Sequence, residues 1–214
     1  MPRKKKTKPA PQEPAGAGRI VWDWAKTIGL ALLLALVIRS SLVGAYSIPS
    51  GSMLQTLQLG DQLLVSKVAY RLKLPFSDTV LFTTGEIQRG DIVVFDPPFQ
   101  SQFPYIKRVI GLPGDTVQIR DKQVYLNGRR LKEPYVRHSD QMVLGANRRD
   151  QMPPTKVPPG KLFVMGDNRD DSEDSRFWGF ADAAKVHGKA LVIYWSWDWS
   201  HMRPRWSRLG TILD

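Results

Sequence analysis

The run Ile48-Pro49-Ser50-Gly51-Ser52-Met53 puts two hydroxyls on either side of a glycine, behind a proline. A turn of this composition can present an attacking oxygen, an open backbone N–H and a second donor in one small volume, which is what acyl transfer by a serine requires. The hydroxyl also needs a base. His138, His187 and His201 are scattered and stand in no signature context, so a Ser-His-Asp arrangement has little to recommend it. Lysine can replace histidine if its ammonium loses its proton near neutral pH, which takes burial among apolar groups and no close unpaired carboxylate. Tyr105-Ile-Lys-Arg-Val-Ile-Gly-Leu-Pro-Gly-Asp115 fits that need, because Lys107 lies in an alternating apolar segment. Taken alone, Lys107-Arg108 would be an ordinary solvated pair. In a strand the two point to opposite faces, so only one can enter a site.

A third block, Met165-Gly-Asp-Asn-Arg-Asp-Asp-Ser-Glu-Asp-Ser-Arg-Phe-Trp-Gly179, is dense in carboxylates and first suggests calcium. An EF-hand loop started at Asp167 would put Arg169 at a ligand position, Ser172 where glycine is needed and Trp178 where the bidentate Glu belongs, so that motif is excluded. As a plain structural element the block reads as a polar hairpin loop with internal salt bridges, above all at Asp167, Asn168 and Arg169.

Together and in this order, the three blocks resemble the signature segments of the type I signal peptidases, the membrane-bound serine–lysine enzymes that remove secretory signal peptides. They anchor about a fifth of the chain. The resemblance implies that Ser52 is the nucleophile and Lys107 the general base, with Arg108 a structural neighbour. It implies an oxyanion hole made by the Ser52 N–H and the Ser50 hydroxyl. Ser172 would bond Lys107 and orient the amine, and Asp174 and Arg176 would form an ion pair that holds the loop near the site. One position departs from the family pattern: Gln55 stands where the family commonly has proline, which removes a φ constraint but no reactive group. The implied substrates are exported preproteins with small residues one and three positions before the cut. No cofactor or metal is implied, and a monomer is expected.

These blocks must be positioned by the rest of the chain, whose 214 residues and 42% hydrophobic content suit one substantial core with accessory segments. Arg3, Lys4, Lys5, Lys6 and Lys8 stand among Pro, Ala and Gly, so residues 1–19 are read as a disordered basic tail. Residues 20–45 are read as a transmembrane anchor. Their charge-free core, Thr27 to Ile38, is short, and becomes long enough if Lys26 and Arg39 snorkel and Trp22 and Trp24 lie at head-group level. A cleavable signal peptide ending at Val43-Gly44-Ala45 is the competing reading, and Arg39, a charge between the apolar core and the cut site, counts against it. The positive-inside rule leaves the N-terminus in the cytoplasm of a single-pass protein, in a bacterial cell membrane or a thylakoid-type one, and sends residues 46–214 to the extracytoplasmic side.

That exterior part reads as mainly antiparallel β, a catalytic domain of signal-peptidase type following one transmembrane helix. Short β-branched runs recur at Gln62–Ser66, Ile92–Phe95, Thr116–Ile119, Gln123–Leu126, Lys161–Met165 and Ala190–Tyr194. Three follow a Gly-Asp turn, at Gly60-Asp61, Gly90-Asp91 and Gly114-Asp115, and Asn127-Gly128 marks a hairpin. Residues 129–159, with five prolines, read as a long excursion outside the core. Trp195, Trp197, Trp199 and Trp206 among Arg203, Arg205 and Arg208 suit either a lipid-facing patch or packing of the last strand.

The absence of cysteine removes disulfides, thiolate zinc sites and cysteine-protease chemistry. A net charge of +11 calls for an acidic partner, and basic residues just ahead of the apolar run favour membrane lipid over nucleic acid. A noncatalytic tethered β domain binding anionic lipid or nucleic acid would account for the charge alone. It would have no need of Ser52, Lys107 and Ser172 in these contexts.

Overall fold

The computed structural model describes residues 17–77, 79–145 and 147–213. The chain divides into two compact units, Met1–Ile38 and Arg39–Asp214. The expected basic tail lies outside the described residues except for 17–19, which are helical. Helix α1 runs Ala17–Ser41. Within it Gly18–Ser41, 24 residues, is long and apolar enough to cross a membrane, since at about 1.5 Å per residue it exceeds the roughly 30 Å of a hydrocarbon core. Leu30, Leu32, Leu33 and Leu34 are all exposed, as they would be on a helix with lipid for solvent. The helix stops four residues short of the expected end of the anchor. Val43-Gly44-Ala45 belongs instead to strand β1 (Val43–Ser47), paired with 64–66 of the next strand, because a ladder partner is available there.

The second unit is mainly β, with short helical turns such as Ser175–Trp178; among the described residues every pairing between its strands is antiparallel, and one isolated bridge, Arg137 to Asn168, is parallel. After β1 come β2 (Asp61–Ser66), β3 (Arg71–Lys73), β4 (Val80–Thr83), β5 (Ile92–Phe95), β6 (Tyr105–Gly111), β7 (Thr116–Arg120) and β8 (Gln123–Leu126). They are followed by β9 (Arg129–Arg130), β10 (Met152–Lys156), β11 (Lys161–Met165), β12 (Ala181–Asp182), β13 (Val186–Asp198), β14 (Arg203–Pro204) and β15 (Thr211–Ile212). The main sheet has the order β1-β2-β13-β5-β6-β11-β12, with β14 and β15 added along β13. A second sheet has the order β10-β7-β8-β9, and β3 with β4 makes a separate hairpin.

The three Gly-Asp turns are one device used three times. Each glycine has positive φ, +90° at Gly60, +93° at Gly90 and +90° at Gly114, a conformation that costs a residue with Cβ. Each aspartate then accepts the backbone N–H three residues back, at 2.8 Å from Gln58, 2.9 Å from Gln88 and 2.8 Å from Leu112. Each is buried and takes a cation: Arg208 on Asp61 at 2.6 Å, Lys189 on Asp91 at 2.6 Å and Arg89 on Asp115 at 2.8 Å. The turns therefore start strands at fixed places.

Residues 129–159 are not wholly an excursion. β10 pairs with β7 despite two prolines, and Met152 and Val157 are buried with Val117, Ile119 and Phe163. As an edge strand β10 can spare the N–H groups that proline lacks. The core beneath the Ser50-Gly51-Ser52 turn is a separate cluster built from Ile48, Met53, Leu57, Leu63, Val94 and Ile193 with their neighbours.

Candidate active site

The Ser52 turn is held from below and from both sides. Met53 and Leu57 are 2% and 0% exposed and plug the turn into the core; truncating either to Ala would cost about 2–5 kcal/mol. Ile48 N–H donates to Asp61 O at 3.0 Å and Leu57 N–H to Met53 O at 2.8 Å, closing the loop at its base. The C-terminal arginines read from sequence as a possible lipid patch are in part clamps on this loop. Arg208 donates to Thr56 O at 2.8 Å and Arg205 to Leu59 O at 2.9 Å. The tryptophans divide: Trp195 and Trp197 are half-buried and stacked, while Trp199 and Trp206 are exposed.

Lys107 comes from the middle of β6, opposite Val93 of β5. It is 3% exposed, and its Nζ donates to Ser52 Oγ at 2.6 Å. Burial pushes the ammonium down to about 8; Asp174 opposes that shift and Arg176 reinforces it. No salt bridge reaches Lys107 among the described residues. The next residue behaves differently. Arg108 is just as buried, but its Nε and Nη2 meet Asp167 at 3.0 Å each and its guanidinium stacks on Tyr135 at 4.0 Å. Sequence reading left this pair as solvated when taken alone, and both side chains are interior because β6 is a central strand.

Ser50 Oγ lies 3.4 Å from Ser52 Oγ, and the Ser52 N–H makes no hydrogen bond among the described residues. One open N–H and one neighbouring hydroxyl therefore flank Ser52 Oγ. Both serines line a cleft of about 760 Å³, with Lys107, Phe103, Tyr105 and Ser172 among the other walls. None of the three histidines lines it. Each bonds an aspartate instead: His138 meets Asp170 at the cleft's wall, His187 meets Asp96 and His201 meets Asp198.

The loop after β11 closes the site, and one expected contact differs there. The Ser172 hydroxyl donates to Asp174 Oδ2 at 2.7 Å and makes no bond to Lys107 among the described residues. A buried carboxylate is the stronger acceptor, and it wins the hydroxyl. Asp174 and Arg176 do form an ion pair, with Nε and Nη2 each 2.8 Å from a carboxylate oxygen. Burial pushes the Asp174 carboxyl up, and Arg176 with the Gly166 N–H more than reverses it, so the net shift is downward. The internal salt bridges expected at Asp167 and Arg169 are not formed among the described residues; both side chains pair outside the loop instead, Asp167 with Arg108 and Arg169 with Glu133.

Three further residues complete the framework. Asn168 N–H donates to Ser52 O at 3.1 Å and its Nδ2 donates to Gly51 O at 3.0 Å, so both carbonyls of the turn are drawn away from the cleft. Thr56 donates to Asp167 at 2.5 Å, joining the serine loop to the aspartate that holds Arg108. Gly166 is the close approach: a Cβ there would stand 2.3 Å from Ser172 Oγ and 2.4 Å from Ser52 O. An Asn two residues past that Gly is the one signal that could have flagged the clamp, since short amides seek backbone partners.

A family profile described as "Signal peptidase, peptidase S26" matches residues 21–195. The chain belongs to the signal peptidase family, peptidase S26. It is 35% identical to a signal peptidase I of Pseudomonas aeruginosa, over 95% of this chain and 84% of that one. It is 40% identical to a signal peptidase I of Bacillus licheniformis, over 81% of this chain and 88% of that one. A crystal structure of a signal peptidase I from Enterococcus faecalis, 38% identical, aligns over 49% of this chain and 96% of that chain with a TM-score of 0.40. As a member of this family the chain is a serine endopeptidase that removes signal peptides.

Proposed function

We propose that cleavage proceeds through an acyl-enzyme on Ser52, with Lys107 as the only proton carrier. The observation that carries the reading is the 2.6 Å contact between Lys107 Nζ and Ser52 Oγ, made by a buried lysine whose proton is lost near pH 8. Ser52 Oγ attacks the carbonyl before the scissile bond while neutral Lys107 takes its proton. The Ser52 N–H and the Ser50 hydroxyl donate to the oxyanion. Protonated Lys107 then gives its proton to the leaving amine, and a water deprotonated by the same lysine releases the signal peptide. Ser172, through Asp174, fixes the surroundings of the amine rather than bonding it.

The substrates are exported preproteins with small residues one and three positions before the cut. The domain plan is a basic tail, an anchor built on α1 and a monomeric catalytic unit from residue 46 onward. The N-terminus lies in the cytoplasm and the catalytic unit on the extracytoplasmic face, of a bacterial or thylakoid-type membrane. Basic residues ahead of α1 support that orientation, and the few residues separating α1 from Ser52 support a cut made close to the membrane.

The test is cleavage of a purified preprotein by the detergent-solubilised chain, with the new N-terminus sequenced. The wild type is expected to cut after a small residue, and Ser52→Ala and Lys107→Ala to be folded and inert. Equal cleavage by all three would end the dyad reading.

A further inference from the structure

Ser40 and Ser41, the last residues of α1, line a cavity of about 510 Å³ with Tyr46, Lys67, Arg71 and His187. It shares none of the cleft that holds Ser52. Two of its cations, Lys67 and Arg71, are held by neutral groups. Lys67 Nζ donates to Arg39 O at 2.9 Å and Ser40 O at 3.1 Å. Arg71 donates to Ala184 O at 3.0 Å and Ala183 O at 2.5 Å. Carbonyls satisfy these N–H groups and, at the C-terminus of α1, offset only part of the Lys67 charge, and no carboxylate pairs with either cation among the described residues. Lys73 lines the same cavity. Burial first, then Arg39 and Lys73, press the Lys67 ammonium below its ordinary value, the mark of an electropositive wall. Asp96, whose charge reaches Tyr46, is bound to His187 at 2.9 Å. Hydroxyls of Ser40, Ser41 and Tyr46 complete the wall with neutral groups able to donate.

Two cations without a counter-ion beside several hydroxyls form a receptor for a phosphodiester, which offers negative charge and several acceptor oxygens at once. The source follows from position. Ser40 and Ser41 of its wall are the last residues of a segment long enough to cross a membrane, and residues that end such a segment lie at head-group depth. Phe76 at its edge is 73% exposed, and Leu74, Leu81 and Phe82 of the same hairpin are exposed beside it. That apolar skirt suits acyl chains.

We propose that this cavity binds the phosphate of an anionic phospholipid through Lys67 and Arg71, and so fixes how the catalytic unit sits on the bilayer. The inference rests on the membrane-anchor reading above. It is tested with the full-length chain in detergent, offered equal amounts of phosphatidylglycerol and phosphatidylcholine and weighed by native mass spectrometry. The wild type is expected to retain phosphatidylglycerol at least tenfold over phosphatidylcholine, and Lys67→Gln/Arg71→Gln to lose that preference. Lys132→Gln/Lys156→Gln, matched in charge, is expected to keep it. Because Lys67 also caps α1, Ser77→Glu serves as a second probe: it leaves both cations in place, adds a carboxylate to the cavity wall and should weaken retention.

Equal retention by the wild type and by both cavity variants would overturn the site. So would displacement of the lipid by inorganic phosphate at the same concentration, which would assign the cavity to a soluble anion. Carbonate extraction of membranes from expressing cells separates the two failures: a chain that resists extraction but shows no lipid preference keeps its anchor and loses this site.

Discussion

Lys107 and Lys122 are both buried lysines of the same β unit, 3% and 8% exposed, with opposite surroundings. Lys122 reaches Asp170 at 3.0 Å and the Asp140 carbonyl at 2.5 Å, with Asp150 at 4.0 Å. Among the described residues Lys107 hydrogen-bonds only a hydroxyl, that of Ser52, and its Nζ lies 5.9 Å from the Tyr105 ring. Burial makes a lysine expensive as a cation, and a paired carboxylate cancels that expense. Lys122 has the pairing and ties its loops together. Lys107 lacks it, so its proton comes off within reach of physiological pH, and that deficiency makes it usable as a base. Burial alone does not set a lysine's proton affinity; the counter-ion within reach decides it.

Exchanging the two lysines for methionine should separate them most widely. Lys107→Met is expected to lower kcat/KM by roughly four orders of magnitude or more, measured on a preprotein, while making the protein harder to denature. The sign follows from linkage. With the folded value at about 8 against an ordinary 10.5, the unfolded chain binds more protons between those pH values. The wild type therefore gains stability as pH rises through that window and lacks it below. At pH 7 removal of the amine should stabilise by about 1–3 kcal/mol, read from denaturant midpoints. Lys122→Met should do the reverse, costing about 3 kcal/mol by leaving Asp170 with weaker partners and sparing the turnover of the folded fraction. Equal stability effects of one sign would break the comparison.

Within the cleft, Ser50→Ala should lower kcat about a hundredfold with KM nearly unchanged, the size expected for one oxyanion donor; undiminished kcat would remove Ser50 from that role. Asn168→Ala should lower kcat by roughly tenfold or more by freeing the turn that aims Ser52, with KM as the control reading. The smallest effect is in the pH profile. The active form is neutral Lys107, so kcat/KM should fall roughly tenfold per unit as pH drops below about 8 and level off above it. Ser172→Ala should displace that midpoint by altering Asp174, and an unmoved midpoint would confine Ser172 to packing.

Much of the frame was legible because its signals are local. The Gly-Asp turns fixed where strands start, and β5, β8 and β11 match the apolar runs residue for residue. The misreadings occur where partners are remote. β10 was hidden by Pro153 and Pro154, which an edge position tolerates, and the end of α1 was overrun because Val43–Ala45 find their ladder partners some twenty residues on. Ser172, assigned to Lys107 by family likeness, is a local case instead: its hydroxyl donates to Asp174, two residues on.

The sequence by itself determined the reagents: two serines around a glycine, a lysine in an apolar strand, an acidic loop, and a long apolar helix ahead of them all. Their types and order carry the chemistry because hydroxyl, amine and carboxylate reactivity is intrinsic to the side chain. Only the tertiary structure decided that Lys107 loses its proton early while Lys122 and Arg108 have carboxylate partners. That outcome depends on which carboxylates packing brings within a few ångströms, a distance no local pattern encodes.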